Sequence, residues 1–202
     1  VFYISYIPMI EKRIGGNEQG KKKTTAIKTY PVPVFLETIN ENFTVNTKTL
    51  SKEQIIHQAL RFHAQGNISE AAKYYQHLIT QGCNDHRVFS NYGIILKDLS
   101  KLKEAELSFS KATEIKPDYA EGHSNLGNIL KDLGKFEDAE MSYRKAIEIN
   151  PDFANAHSNL GNILKDLDQL KDAELSYRKA IEINPDFAEA HSNLASILRD
   201  LG

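Results

Sequence analysis

The sequence predicts an all-α solenoid of stacked helix hairpins, on three observations. Pro117, Pro151 and Pro185 recur every 34 residues. Residues 120–153 and 154–187 differ at only seven positions: 155, 156, 168, 169, 170, 171 and 175. Each stretch carries two apolar stripes, such as Leu126, Ile129, Leu130 and Leu133, then Ala139, Tyr143, Ala146 and Ile147. Spacings of three and four residues place such side chains on one face of a helix. Self-similarity at a fixed period means that one small unit is repeated, each copy covering the apolar face of its neighbour.

In chain order, residues 1–50 read as a flexible N-terminal segment. Val1–Ile10 is apolar, and its basic residues, Lys12 and Arg13, follow it. A secretory signal has the opposite order. Met9 is the expected biological start, with Val1–Pro8 read as upstream readthrough or a truncated end. Residues 11–28, with Gly15-Gly16 and Lys21-Lys22-Lys23, read as a solvated, largely disordered tail. Residues 30–46 read as a short strand or an extended arm on the first repeat. Ser51 and Gln54 have the spacing of a capping box, which starts the first helix.

The repeats follow as 52–85, 86–119, 120–153, 154–187 and a partial copy, 188–202. In each, Gly134-Lys135 or its counterpart breaks the two helices, and Asn150-Pro151 ends the second, because the residue before proline is pushed out of the helical region. Asp118 with Glu121, and Asp186 with Glu189, have capping-box spacing for the helices that come next. The first copy is worn, with Cys83 in the proline column, as suits an end cap. The last copy holds one helix, and Leu194, Ile197, Leu198 and Leu201 are expected to lack a covering partner. The chain therefore reads as a fragment that continues beyond Gly202.

One column holds only small residues: Ala59, Gly93, Gly127, Gly161 and Ala195. Glycine inside a helix costs about 1 kcal/mol relative to alanine. Alanine shares the column, so the requirement is lack of volume rather than a special backbone angle. Ala71, Ala105, Ala139 and Ala173 form the matching column on the second helix.

With His123, Leu126-Gly127, Leu130, Ala139, Tyr143 and Pro151 in these places, the repeat resembles the tetratricopeptide (TPR) pattern. Histidine stands where the family carries tryptophan, and leucine replaces the first tyrosine. The resemblance covers about 150 of the 202 residues. It implies a right-handed superhelix of antiparallel hairpins in which the first helix of each hairpin lines a concave groove. The wording is similar to the TPR region of O-linked N-acetylglucosamine transferase and to bacterial TPR arrays.

Composition narrows the function classes. A net charge of −2 gives no global bias toward nucleic acid. No apolar run reaches the length of a membrane-spanning helix. A single cysteine excludes an internal disulfide and fits a reducing, cytoplasmic setting. There is no phosphate loop, nucleophile elbow or HExxH motif, so no enzyme activity and no cofactor is expected. His123, His157 and His191 share a column, and neighbouring helices stand roughly 8–10 Å apart, too far for a shared zinc ion. They read as packing residues and no metal is expected. Asp98, Asp132, Asp166 and Asp200 read as a solvated charge row.

The binding candidates are asparagines. Asn91, Asn125, Asn159 and Asn193 share one column, and Asn128 and Asn162 lie one turn further on. Asparagine is a mediocre helix former, so its persistence needs a cause. An amide offers two donors and an acceptor, which suits the main chain of an extended peptide. In the transferase that the array resembles, an asparagine ladder occupies the segment that reads HSNLG at 123 and 157 and HSNLA at 191 here. A dicarboxylate clamp for acidic tails is not expected, because asparagine and serine stand where that clamp needs arginine and lysine. The expected function is a protein-interaction scaffold, with a protein or peptide partner and neither nucleic acid nor membrane. The alternative is the substrate-recruiting arm of a larger glycosyltransferase or sulfotransferase. Self-association through the exposed last helix is a further expectation.

Overall fold

Each helix hairpin turns on one residue with a left-handed backbone: Gly66 (φ 74°), Ser100 (φ 58°), Gly134 (φ 73°) and Asp168 (φ 61°). In a computed structural model, which describes residues 50–201, these residues join successive helices. The helices are α1 (Lys52–Ala64), α2 (Ile68–Thr80), α3 (His86–Asp98), α4 (Leu102–Ile115), α5 (Ala120–Asp132), α6 (Phe136–Ile149), α7 (Ala154–Asp166), α8 (Leu170–Ile183) and α9 (Ala188–Leu201). The turn geometry is the same each time. Gly134 N–H donates to the Lys131 carbonyl at 2.9 Å and Lys135 N–H to the Leu130 carbonyl at 2.8 Å. This paired closure satisfies the last carbonyls of the helix and requires a positive φ between them.

The even helices end differently. Lys116, Asn150 and Asn184 leave the helix at φ −129°, −130° and −130°, as a residue before proline must. The worn first repeat has Cys83 instead of proline and closes α2 with a left-handed Gly82 (φ 69°). The capping box at Ser51 is present, with Gln54 N–H on the Ser51 hydroxyl and Ser51 N–H on the Gln54 side chain. The capping box expected at Asp118 is not. Pro117-Asp118 form a turn, closed from Tyr119 N–H to the Lys116 carbonyl at 3.2 Å. The N-cap of α5 thus falls on Tyr119, without a side-chain cap bond. Likewise α9 begins at Ala188, leaving Asp186 in the turn before it.

The helices pair as α1 with α2, α3 with α4, α5 with α6 and α7 with α8, and each even helix also packs on the next odd one. The described residues form a right-handed superhelical solenoid with no strand among them. The expected N-terminal segment, the strand or arm at 30–46 and the start at Met9 lie outside the described residues.

The small columns are where the hairpins close. Ala71, Ala105, Ala139 and Ala173 are all fully buried. A Cβ on Gly127 would stand 2.7 Å from the Tyr143 ring, and one on Gly161 2.7 Å from Tyr177. These rings and Phe109 are among the largest fully buried side chains. Burying one such side chain contributes about 2–3 kcal/mol, so the missing Cβ exchanges helix propensity for core contact. In α9 the outcome is mixed. Ile197 is fully buried against the preceding hairpin, contrary to expectation, because it faces back toward α8. Leu198 and Leu201, on the other side, are 42% and 40% exposed.

Candidate functional site

The asparagine columns lie on the odd helices α3, α5, α7 and α9, and all six side chains are half-buried. The structure joins four of them into two dyads. Asn159 Nδ2 on α7 donates to Asn128 Oδ1 on α5 at 3.2 Å. Asn193 Nδ2 on α9 donates to Asn162 Oδ1 on α7 at 2.9 Å. Each dyad bridges consecutive repeats, so the amides are positioned by helix stacking as well as by their own helix.

Asn91 and Asn125 are not joined in this way. The residue that would accept from Asn125 is Ile94, and the one for Asn91 is Leu60; neither has a polar atom to offer. Asn91 Nδ2 donates instead to the Arg87 carbonyl of its own helix at 2.8 Å. Among the described residues the Asn125 side chain has no hydrogen-bond partner.

Two tyrosines complete the dyads, and the sequence reading missed them. Tyr143 Oη donates to Asn128 Oδ1 at 2.8 Å, and Tyr177 Oη to Asn162 Oδ1 at 2.7 Å. Their rings are the ones lodged over Gly127 and Gly161. Burial pushes the Tyr177 hydroxyl up to about 12 and raises that of Tyr143 further in the same direction, with smaller contributions from nearby carboxylates. Both hydroxyls therefore remain neutral donors across the physiological range. The columns carry only part of that signal: phenylalanine at Phe109 goes with isoleucine at Ile94, but Tyr75 keeps its hydroxyl where Leu60 replaces the asparagine, and approaches His63 Nδ1 instead.

The histidines are explained without a metal. His123, His157 and His191 each place Nε2 near the carbonyl oxygen of Pro117, Pro151 and Pro185, at 3.0, 2.9 and 2.8 Å. A neutral ring donating from Nε2 ties the start of each helix to the proline turn. Burial lowers the His123 pKa, which favours that neutral form. Among the described residues no three His, Cys, Asp or Glu side chains gather as a metal site would require. The Asp98, Asp132, Asp166 and Asp200 row is exposed, as expected. A shallow groove of about 470 Å³ lies between α6, α7 and α8, with His157, Arg144 and Leu175 on its walls.

A 34-residue hairpin with a ring-over-glycine closure, repeated in register, is matched directly by family models. The TPR repeat model covers residues 93–134 and 127–168, and tetratricopeptide repeat models cover 154–187 and 176–202. Together they span 93–202, just over half of the chain. The chain belongs to the tetratricopeptide repeat family. No curated protein matches it by sequence.

Solved TPR structures show the same fold. MamA 41-end from Desulfovibrio magneticus RS-1 superposes with a TM-score of 0.67 at 21% identity, covering 74% of this chain and 85% of that one. YrrB, described as a TPR protein with an unusual peptide-binding site, gives 0.65 at 21% identity, covering 70% and 73%. The first TPR of Spaghetti (RPAP3), bound to the HSP90 peptide SRMEEVD, gives 0.57 at 25% identity, covering 58% and 93%. No described helix of the present TPR array is long and apolar enough to cross a membrane.

Proposed function

We propose that this TPR array is a protein-interaction scaffold that holds an extended peptide segment along its odd helices. Asn125, Asn128, Asn159, Asn162 and Asn193 make the principal contacts, and Asn91, tied to its own helix, a lesser one. The observation that carries the reading is the pair of amide dyads. Each is held by neighbouring repeats and still has unpartnered N–H groups in a half-buried setting. Half-buried polar groups without partners are costly unless water or a ligand meets them. Amides held at repeat spacing suit a ligand with polar groups at regular intervals, and the main chain of an extended peptide is such a ligand. TPR relatives that hold peptides support the general class, since RPAP3 is bound to one and YrrB is described as having a site for one.

The test uses a short unstructured peptide selected by display from a random library on the whole chain. Replacing Asn125, Asn159 and Asn193 together by alanine is expected to weaken its binding while far-ultraviolet circular dichroism stays unchanged. Equal binding by the triple variant would sink the reading.

A further inference from the structure

Met141 and Leu175 are the most exposed large apolar side chains among the described residues, at 66% and 65%. They occupy one column on the solvent side of α6 and α8, and Leu107 holds the same place on α4, half-buried. Apolar residues scattered over a surface are ordinary, but a column in successive repeats is not scatter. Duplication alone does not account for it. Position 175 is one of the seven at which residues 154–187 differ from 120–153, and it stays apolar through that change. Packing does not account for it either, since neither side chain belongs to a core cluster.

Charge is ordered around the column. On α6, Glu137, Asp138 and Glu140 precede Met141, and Arg144 and Lys145 follow it. On α8, Asp172 and Glu174 precede Leu175, and Arg178 and Lys179 follow it. Lys145 and Lys179 are engaged by Glu148 and Glu182 at 2.8 and 2.7 Å. Arg144 and Arg178 reach Glu140 and Glu174 through Nε, at 2.7 and 2.8 Å, and their Nη groups have no partner among the described residues. Exposed ion pairs one helical turn apart are weak and exchange partners at little cost.

We propose that this face joins two copies of the chain about a two-fold axis that runs along the column, across α6 and α8. A helix face ordered acid, apolar, base is complementary to itself only when the second copy is antiparallel. A two-fold axis perpendicular to the helices gives that arrangement, and residues on the axis meet their own counterparts. Met141 then lies against the partner's Met141, and Leu175 against the partner's Leu175. The arginines on one side face the glutamates of the other, through the Nη groups left open within each chain. Ile147 and Leu160, lining the groove beside Leu175, extend the apolar surface inward. The row also has an end: Lys73 stands in its column on α2, so the apolar face belongs to the later hairpins. A patch of this size suits a weak, reversible dimer. It lies on the even helices, whereas the asparagines lie on the odd ones.

The whole chain is expected to sediment as monomer and dimer in exchange, with a Kd in the micromolar range. M141E/L175E is expected to weaken association by about tenfold or more and to keep the parent's far-ultraviolet circular dichroism, since both positions are exposed. Charge reversal tests the antiparallel register. R144E/R178E and E140R/E174R are each expected to be monomers, and an equimolar mixture of the two is expected to restore the dimer. A cysteine on the axis tests the place. M141C is expected to form a disulfide-linked dimer under mild oxidation, and L99C, exposed but off the column, to stay monomeric. Leu198 and Leu201 on α9 offer a competing apolar face, so L198S/L201S is measured beside these variants. A monomer at about 100 µM overturns the proposal, whatever else the face holds. So does a dimer that survives M141E/L175E, or one that L198S/L201S alone dissolves.

Discussion

Gly127 and Tyr143 share one volume: a Cβ on the glycine would lie 2.7 Å from Cε1 of the ring. The corresponding gap at Gly93 is 3.0 Å to Phe109, so the two sites differ in how much room an added methyl would need. Overpacking a core costs about 1–3 kcal/mol, and alanine returns about 1 kcal/mol of helix propensity. Gly127→Ala is expected to lower stability by about 1 kcal/mol, and Gly93→Ala to be close to neutral. Urea denaturation of the two variants checks the order. A larger loss at Gly93 would contradict this account of the small column.

The hairpin turns give a prediction of opposite sign. Ser100 and Asp168 adopt φ 58° and 61°, where Gly66 and Gly134 stand in the other repeats. A left-handed backbone costs a residue with a Cβ about 1 kcal/mol, less for aspartate, whose side chain bonds locally. Ser100→Gly is expected to stabilise by about 1 kcal/mol and Asp168→Gly by somewhat less. Gly134→Ala is expected to destabilise by a similar amount. Thermal melts in parallel read all three.

Acid sensitivity is expected at the first repeat junction. Arg87 Nη2 lies 2.7 Å from Asp85 Oδ2 and 3.0 Å from Glu53 Oε1, joining α1 to α3. The Arg87 hydrogen bond holds the Asp85 carboxyl below its ordinary value, against an opposing effect of burial. A depressed folded pKa adds stability above the unfolded value of about 3.9, and that stability is lost as pH falls through the folded value. Asp85→Asn is expected to flatten the stability profile below about pH 5 and to leave its shape at neutral pH unchanged. Urea midpoints measured across that range decide it, and a parallel acid limb in the variant would refute the assignment.

Much of this architecture was legible before any coordinates. The proline interval, the apolar stripes and the small columns are local signals, and each recurs often enough to be read twice. The histidine column was read as packing, whereas His191 is exposed and each ring approaches a main-chain carbonyl. Their partners, the proline carbonyls six residues back, emerge only once the turn is built. The capping boxes at Asp118 and Asp186 misled because a proline turn with matching spacing displaces the helix start by one residue. Ile197 misled because a single-helix reading cannot tell which neighbour an apolar residue faces.

The amides divide along the same line. Chain order and helical period suffice to put asparagines in two columns at repeat spacing on the helices of a TPR array. Which of them act together depends on how the helices stack. The bonds between Asn128 and Asn159, and between Asn162 and Asn193, cross from one repeat to the next, and each acceptor oxygen is also met by a buried tyrosine from the intervening helix. Donor and acceptor roles are set by distance and by what else fills the lone pairs, and stacking alone brings those groups together.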